Sequence, residues 1–347
     1  MLDIDDARQV LKKTFGLGKF RKGQKPIIRR VLEGRSTLAV LPTGGGKSLC
    51  YQLPALLLDG LTVVVCPLIA LMKEQVDFLT MRGIPAARLD SRLDAAEERL
   101  VYDDLRTGRL KLLYVAPERL ASERFLHTLA RQEVSLLVVD DAHCISQWSH
   151  NFRPVYLNLA QRAESLDVGR VLALTATATP QVARDIADAF GIADEDVIQA
   201  SFHRENVELH ITPCRPDERR ELLQERLRDR PAGPTIVFVT QRKTAEGLAE
   251  FLTDEGFDAS PYHASMKDEQ RHEIQEALMA SDGMVVVATS DIGRGIEKAN
   301  IRYVYHFNLP RSLESYAYEI GRAGRDGRSA ECEMFACADD VVTLENF

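Results

Sequence analysis

The chain has 347 residues, 45% of them hydrophobic, which suits about two domains with substantial cores. A net charge of −8 and a pI of about 5.6 exclude overall basicity, so any grip on nucleic acid has to come from local patches. Six scattered cysteines without a C-x-x-C pair argue against a zinc site or a disulfide framework and suit free thiols in a reducing cytosol. The acidic start, Met1 to Asp6, lacks the features of a secretory signal, and no apolar run has the length of a membrane span. A cytoplasmic, soluble protein is the expectation.

In chain order, Asp6 to Phe15 has helical apolar spacing and Gly16-Leu17-Gly18 ends it. Phe20-Arg21-Lys22-Gly23-Gln24 precedes a second helix over Pro26 to Glu33. The amide of Gln24 offers the donor and acceptor that suit the N6/N7 edge of adenine, although a glutamine near a helix start is usually just solvated. An apolar run, Thr37 to Val40, then enters Leu41-Pro42-Thr43-Gly44-Gly45-Gly46-Lys47-Ser48, and Leu49 to Leu58 reads as a helix. Strand, glycine loop and helix form a phosphate cradle. Glycines let successive N–H groups turn toward one anion, and the helix start adds its positive end. Thr43 to Gly46 would line that cradle, Lys47 would reach the β/γ-phosphates, and the Ser48 hydroxyl would ligate Mg²⁺. Leu41 stands where the usual pattern has its first glycine.

Continuous apolar runs at 62–66, 111–115, 136–139 and 171–174 read as buried parallel strands. Helical segments are predicted between them, at 69–81, 94–107, 119–131 and 155–164. Ligands in such sheets sit beyond the carboxyl ends of the strands. Asp140 and Asp141 end one strand there; Asp140 suits the metal and Asp141 the attacking water. Next comes Ser146-Gln147-Trp148-Ser149-His150-Asn151-Phe152-Arg153, a polar loop holding the chain's one tryptophan. Trp148 beside Arg153 reads either as a stacking platform for unpaired bases or as an aromatic plug.

The rhythm breaks between Ala200 and Pro216, where connecting segments are expected. A second α/β series follows, with strands at 235–239, 284–289, 301–307 and 331–335 and helices near 242–254, 267–279 and 313–320. It has no glycine-lysine loop. Gly321-Arg322-Ala323-Gly324-Arg325-Asp326-Gly327 closes its last marked helix, and two arginines three apart on a helix would face one way. Arg322 and Arg325 are therefore candidates to reach the γ-phosphate.

Taken together, Phe15–Gln24, Leu41–Ser48, Cys66–Met72, Tyr114–Leu120, Asp140–Tyr156, Leu174–Pro180, Tyr262–Ala264, Val287–Ile296 and Ser315–Gly327 resemble the helicase core of the RecQ family, in order and over nearly the whole chain. The resemblance implies an α/β fold of two RecA-like parallel-sheet lobes, 1–206 and 207–347, of a superfamily-two core. It implies ATP and Mg²⁺ as cofactors, no zinc in this chain, and 3′-to-5′ unwinding. The implied partner is single-stranded or forked DNA, engaged by a monomer with no membrane. Localisation is cytoplasmic, with the nucleoid if the source is bacterial. Arg21 and Gln24 become adenine contacts. His143, Gln147, Trp148, Phe152 and Arg153 become the DNA-binding and coupling group, and Arg322 and Arg325 act across the cleft.

Three positions depart from the family pattern. Asp141 stands where Glu is usual, Arg294 where an apolar residue is usual, and Tyr318 where Gln is usual. The family's zinc region, winged helix and accessory domain do not follow Phe347, so a fragment with single-strand-stimulated ATPase and weak or absent unwinding is expected. The alternatives are an RNA helicase, favoured by Arg294, and a binding module disabled by Asp141.

Overall fold

The computed structural model describes residues 3–42, 44–146, 153–200, 204–289 and 298–345. The chain forms two compact units, Met1–Ser201 and Phe202–Phe347.

Among the described residues, the first unit carries a seven-stranded sheet. Its strands are β1 (Thr37–Val40), β2 (Leu61–Val65), β3 (Ala86–Leu89), β4 (Leu112–Val115), β5 (Val134–Val139), β6 (Val171–Thr175) and β7 (Val197–Gln199). They lie in the order β3-β4-β2-β5-β6-β1-β7, every neighbour parallel. Alternation along a strand sends side chains to opposite faces. Val63 and Val65 therefore enter one core cluster with Leu113 and Val139, whereas Val64 and Cys66 enter another with Ile27, Leu53 and Tyr114. Both faces are covered, which is why these strands read as unbroken apolar runs.

The helices follow their local signals. α1 (Ile4–Phe15) starts at Asp3, whose carboxylate accepts from the Asp5 and Asp6 amides, and stops at Gly16 with φ 67°. α2 (Gln24–Leu32), α3 (Leu49–Leu57) and α4 (Ile69–Thr80) flank the glycine loop and the exit of β2. α5 (Ala95–Arg106) carries an Asp94/Glu97 capping box. The single helix expected over 119–131 is instead a 3₁₀ turn, Pro117–Ala121, followed by α6 (Glu123–Leu129). Ser122 divides them: its backbone is extended, and its hydroxyl caps α6 through the Phe125 amide. α7 (Pro154–Ser165) and α8 (Pro180–Phe190) complete the unit.

In the second unit β8 (Val207–Pro213), β9 (Thr235–Val239), β10 (Ala259–Tyr262), β11 (Val285–Thr289), β12 (Tyr303–His306) and β13 (Ala330–Ala336) form a parallel sheet, ordered β10-β11-β9-β12-β13-β8. Its helices are α9 (Arg219–Asp229), α10 (Arg242–Asp254), α11 (Asp268–Ala280), α12 (Leu313–Ile320) and α13 (Ala338–Glu345). Part of the segment expected to be connecting, 200–216, is thus ordered as β8, and α9 is a helix that the spacing did not predict. Among the described residues, no helix is long and apolar enough to cross a membrane.

Candidate nucleotide site and arginine turn

The glycine loop joins the carboxyl end of β1 to α3, with Gly44 and Gly46 at φ 78° and 79°. A Cβ on Gly46 would lie 2.4 Å from the Gln24 amide nitrogen, so that position is closed to any side chain. The reason is a clamp that local sequence gave no sign of. Gln24 is buried; its Nε2 donates to the Gly46 carbonyl at 2.9 Å, and its Oε1 accepts from the Arg21 amide at 2.7 Å. Arg21 Nη1 donates to the Gly44 carbonyl. Arg21 and Gln24 thus hold the loop's carbonyls, and with them the direction of its N–H groups. One donor and one acceptor position of the Gln24 amide are held by backbone, not solvated as a glutamine near a helix start usually is, which leaves its second N–H and second lone pair for a ligand.

Beside the clamp lies an open cleft of about 470 Å³ that includes Arg21, Gln24, Gly46 and Ser48 in its lining. Its far wall was not legible in the sequence: Phe15 stacks on Phe78 of α4 at 6.4 Å, and the Arg82 guanidinium sits 3.6 Å from the Phe78 ring centre. An aromatic-and-arginine wall facing an amide is a surface that suits a flat heterocycle.

The acidic pair stands at the carboxyl end of β5. The Asp140 amide continues the sheet by donating to Val65 O at 2.9 Å. Asp141 is left-handed, φ 50° and ψ 43°, and its amide donates to Asp140 Oδ1 at 3.0 Å. A non-glycine residue in that conformation carries strain, of order 1 kcal/mol or more. Asp140 keeps some solvent contact, yet the strand ends close round its carboxyl. Burial, with the Asp141 charge added, pushes Asp140 up to about 7, while Lys47 pulls the other way. The Lys47 ammonium is therefore within electrostatic reach of Asp140. Ser48 hydrogen-bonds Tyr51, and Tyr51 also feels Asp140. Asp140, Asp141 and the Ser48 hydroxyl offer the oxygen chemistry that a hard divalent cation takes, while among the described residues no three His, Cys, Asp or Glu side chains gather as a ready-made metal site.

The acidic turn is wired to the next strand. Thr175 Oγ1 donates to the Thr177 carbonyl at 2.7 Å, so its lone pairs face His143 Nδ1 at 3.0 Å, and that nitrogen carries the proton. His143 is buried, and it joins the turn after Asp141 to the end of β6. The Arg153 amide donates to Cys144 O at 2.9 Å, which joins the turn after Asp141 to the start of α7. Thr43, Gln147, Trp148, Phe152 and Arg294 lie outside the described residues.

In the second unit Arg322 and Arg325 do not share a helix face. α12 ends at Ile320, and both arginines belong to the turn that follows. The physical reason is Gly324, at φ 52°, around which the chain folds back toward β13. Arg204 donates to the Ala323 and Gly324 carbonyls at 2.7 and 2.6 Å. Asn206 Nδ2 reaches Gly324 O and Arg328 O at 2.9 and 2.8 Å. Arg322 is buried with its guanidinium 4.6 Å from the centre of the Tyr318 ring, and Arg325 is half-buried. α12 is tied to β12 by His306 Nε2 and Glu319 Oε2, 2.8 Å apart, both buried.

Comparisons with known proteins agree with this geometry. Residues 21–186 match the DEAD/DEAH box helicase family, and residues 218–327 match the helicase conserved C-terminal domain. The chain is 42% identical over 338 residues to an ATP-dependent DNA helicase RecQ of Bacillus subtilis (strain 168), covering 97% of this chain and 57% of that protein. It is 41% identical over 348 residues to the protein of the same name from Haemophilus influenzae, covering 99% and 55%. To a probable ATP-dependent DNA helicase RecS of B. subtilis it is 40% identical over 340 residues, covering 97% and 68%. The chain spans about half the length of the RecQ relatives it matches. Among solved structures, the Mycobacterium smegmatis helicase Lhr bound to ssDNA and AMP-PNP superposes with a TM-score of 0.73 at 21% identity, over 98% of this chain and 50% of that one. S. cerevisiae Dbp5 bound to RNA and ADP BeF3 gives a TM-score of 0.73 at 18% identity, over 99% and 92%. At such identities the likeness shows the fold alone, RecA-like parallel-sheet lobes.

Proposed function

Because this chain belongs to the RecQ family of helicases, we propose that it hydrolyses ATP and uses the cycle to move 3′ to 5′ along single-stranded or forked DNA. The observation that carries the reading is the charge arrangement at the carboxyl edge of the first sheet: Asp140 and Asp141 crowded together opposite Lys47, beside a glycine loop held open by Arg21 and Gln24. In it, Thr43 to Gly46 present N–H groups to the phosphates, and Lys47 neutralises the β/γ pair. Ser48 and Asp140 are the residues that would hold Mg²⁺, which when bound offsets negative charge on the phosphate oxygens. Asp141 orients the attacking water. The adenine enters the cleft beside Phe78 and Arg82, exchanging hydrogen bonds with Arg21 and Gln24. Arg322 and Arg325 act on the γ-phosphate, a contribution of roughly 10³–10⁵ in rate.

His143 is the coupling element of this reading, because it ties the acidic turn to Thr175 and precedes the loop of Gln147, Trp148, Phe152 and Arg153 assigned to DNA. A strand stacked on Trp148 would be felt at Asp141 through that turn. The test is steady-state ATP hydrolysis with no nucleic acid, with single-stranded DNA, and with RNA of the same sequence. DNA should stimulate turnover most. Stimulation by RNA alone would move the assignment to an RNA helicase, and no Lys47-dependent turnover under any condition would overturn the enzyme reading.

A further inference from the structure

The edge of the second sheet brings two cysteines together. β8 and β13 are parallel neighbours with Pro213 opposite Ala336. The Cys214 amide donates to Ala336 O at 3.1 Å, so the ladder runs on past both strands and sets Cys214 opposite Cys337. Neighbouring strands lie about 4.8 Å apart, with paired side chains on one face. A disulfide needs Cα atoms roughly 4.4–6.8 Å apart. Cys214 packs against the core cluster that contains Phe335, and Cys337, two residues beyond Phe335, shares that face. Both thiols are free; Cys337 is buried and Cys214 half-buried.

A second observation points to chemistry at this pair. One guanidinium, Arg219 of α9, lies within electrostatic reach of both cysteines. Arg219 is buried, paired with Asp340 at 2.9 Å, and its Nε has no hydrogen-bond acceptor among the described residues. Burial pushes the Cys214 thiol up, and the nearby Arg219 cation offsets part of that cost, so a thiolate formed there has a positive neighbour.

We propose that Cys214 and Cys337 form a reversible thiol–disulfide modification site, closed by a low-molecular-weight disulfide such as oxidised glutathione. The Cys214 thiol releases its proton to water, and the thiolate attacks one sulfur of the glutathione disulfide. One glutathione leaves as thiolate and takes up a proton. Cys337 then loses its proton, and its sulfur attacks the Cys214 sulfur of the mixed disulfide, expelling the second glutathione. Two protein thiols are oxidised, and one glutathione disulfide is reduced to two thiols. Half-exposed Cys214 is the entry point and buried Cys337 the resolving sulfur. The bond would join the exit of β8 to the turn before α13. There Asp340 accepts from the Leu309 amide at 2.9 Å and from Asn308 Nδ2 at 3.1 Å, in the segment that leads into α12.

The test treats reduced protein with oxidised glutathione, blocks the remaining thiols with N-ethylmaleimide, and maps peptides without reduction. The expected result is one Cys214–Cys337 peptide pair, loss of two of the six titratable thiols, and full reversal by dithiothreitol. Oxidation should raise the unfolding midpoint, because the bond constrains the unfolded chain. Cys337→Ser should stop at a glutathione adduct on Cys214, and Cys214→Ser should take up no glutathione at Cys337. Mapping of the unmutated protein decides the matter without relying on the variants. A Cys214–glutathione adduct as its end product, or a crosslink between other cysteines, would overturn the proposal.

Discussion

Glu319 in the second unit and Asp140 in the first are both carboxylates drawn out of water, and their surroundings treat them differently. Glu319 meets a buried imidazole, His306, on which Phe238 stacks at 5.4 Å and against which the Tyr316 ring tilts at 5.0 Å. Asp140 meets a second carboxylate, and its charge is raised in energy by the fold that holds it. The first arrangement is closed and reads as scaffold, fixing α12 to β12 ahead of the arginine turn. The second would be relieved by a cation from outside, and in the proposed reading it lies where the glycine loop brings phosphate. Unsatisfied charge marks the site; satisfied charge marks its support.

The largest effect should come from removing what the open site relies on. Lys47→Ala should reduce ATP turnover at least ~10²-fold in a steady-state assay, the scale seen when one preorganised charge-stabilising group is lost. Trp148→Ala should leave basal turnover near that of the parent and remove its stimulation by single-stranded DNA. Equal loss of both would mean that the tryptophan plugs the loop.

The closed pair should show itself in stability. Glu319→Ala leaves a buried imidazole facing a gap and should cost about 3 kcal/mol in denaturant unfolding. Glu319→Gln keeps a hydrogen bond and should cost less. A smaller effect is expected at Tyr318, whose ring lies against Arg322. Tyr318→Leu removes a cation–π contact of ~1 kcal/mol and should lower kcat a few-fold with less change in KM, whereas Tyr318→Phe should match the parent.

How much of this was legible in the sequence follows the same division. The glycine loop, the strand-ending aspartates and the βα alternation are local patterns, and the structure has them where the sequence placed them. Edge strands β3 and β10 were missed because Ala-Ala-Arg-Leu and Ala-Ser-Pro-Tyr have no apolar run, being covered on one side only. α9 was missed because charge dominates it and only Arg219, Leu223 and Leu227 are buried. The clamp of Arg21 and Gln24 on the loop, the Phe15–Phe78 stack and the Arg204–Asn206 brace on Gly324 join residues far apart in sequence. The arginines were placed on a helix because their spacing fits one; the left-handed Gly324 and the fold-back to β13 decide otherwise.

The sharpest measurement is the unfolding midpoint of the parent and of Asp140→Asn, each with and without Mg²⁺ and a non-hydrolysable ATP analogue. In the metal-free state the raised Asp140 group makes the parent lose stability as pH climbs from its unfolded value of 3.8 through about 7, so Asp140→Asn should match the parent near pH 4 and exceed it at pH 8. Adding Mg²⁺ with the analogue should raise the parent's midpoint and leave the Asp140→Asn midpoint largely unmoved by the metal. A variant that gains no stability at pH 8 and keeps the full Mg²⁺-dependent rise would contradict the account.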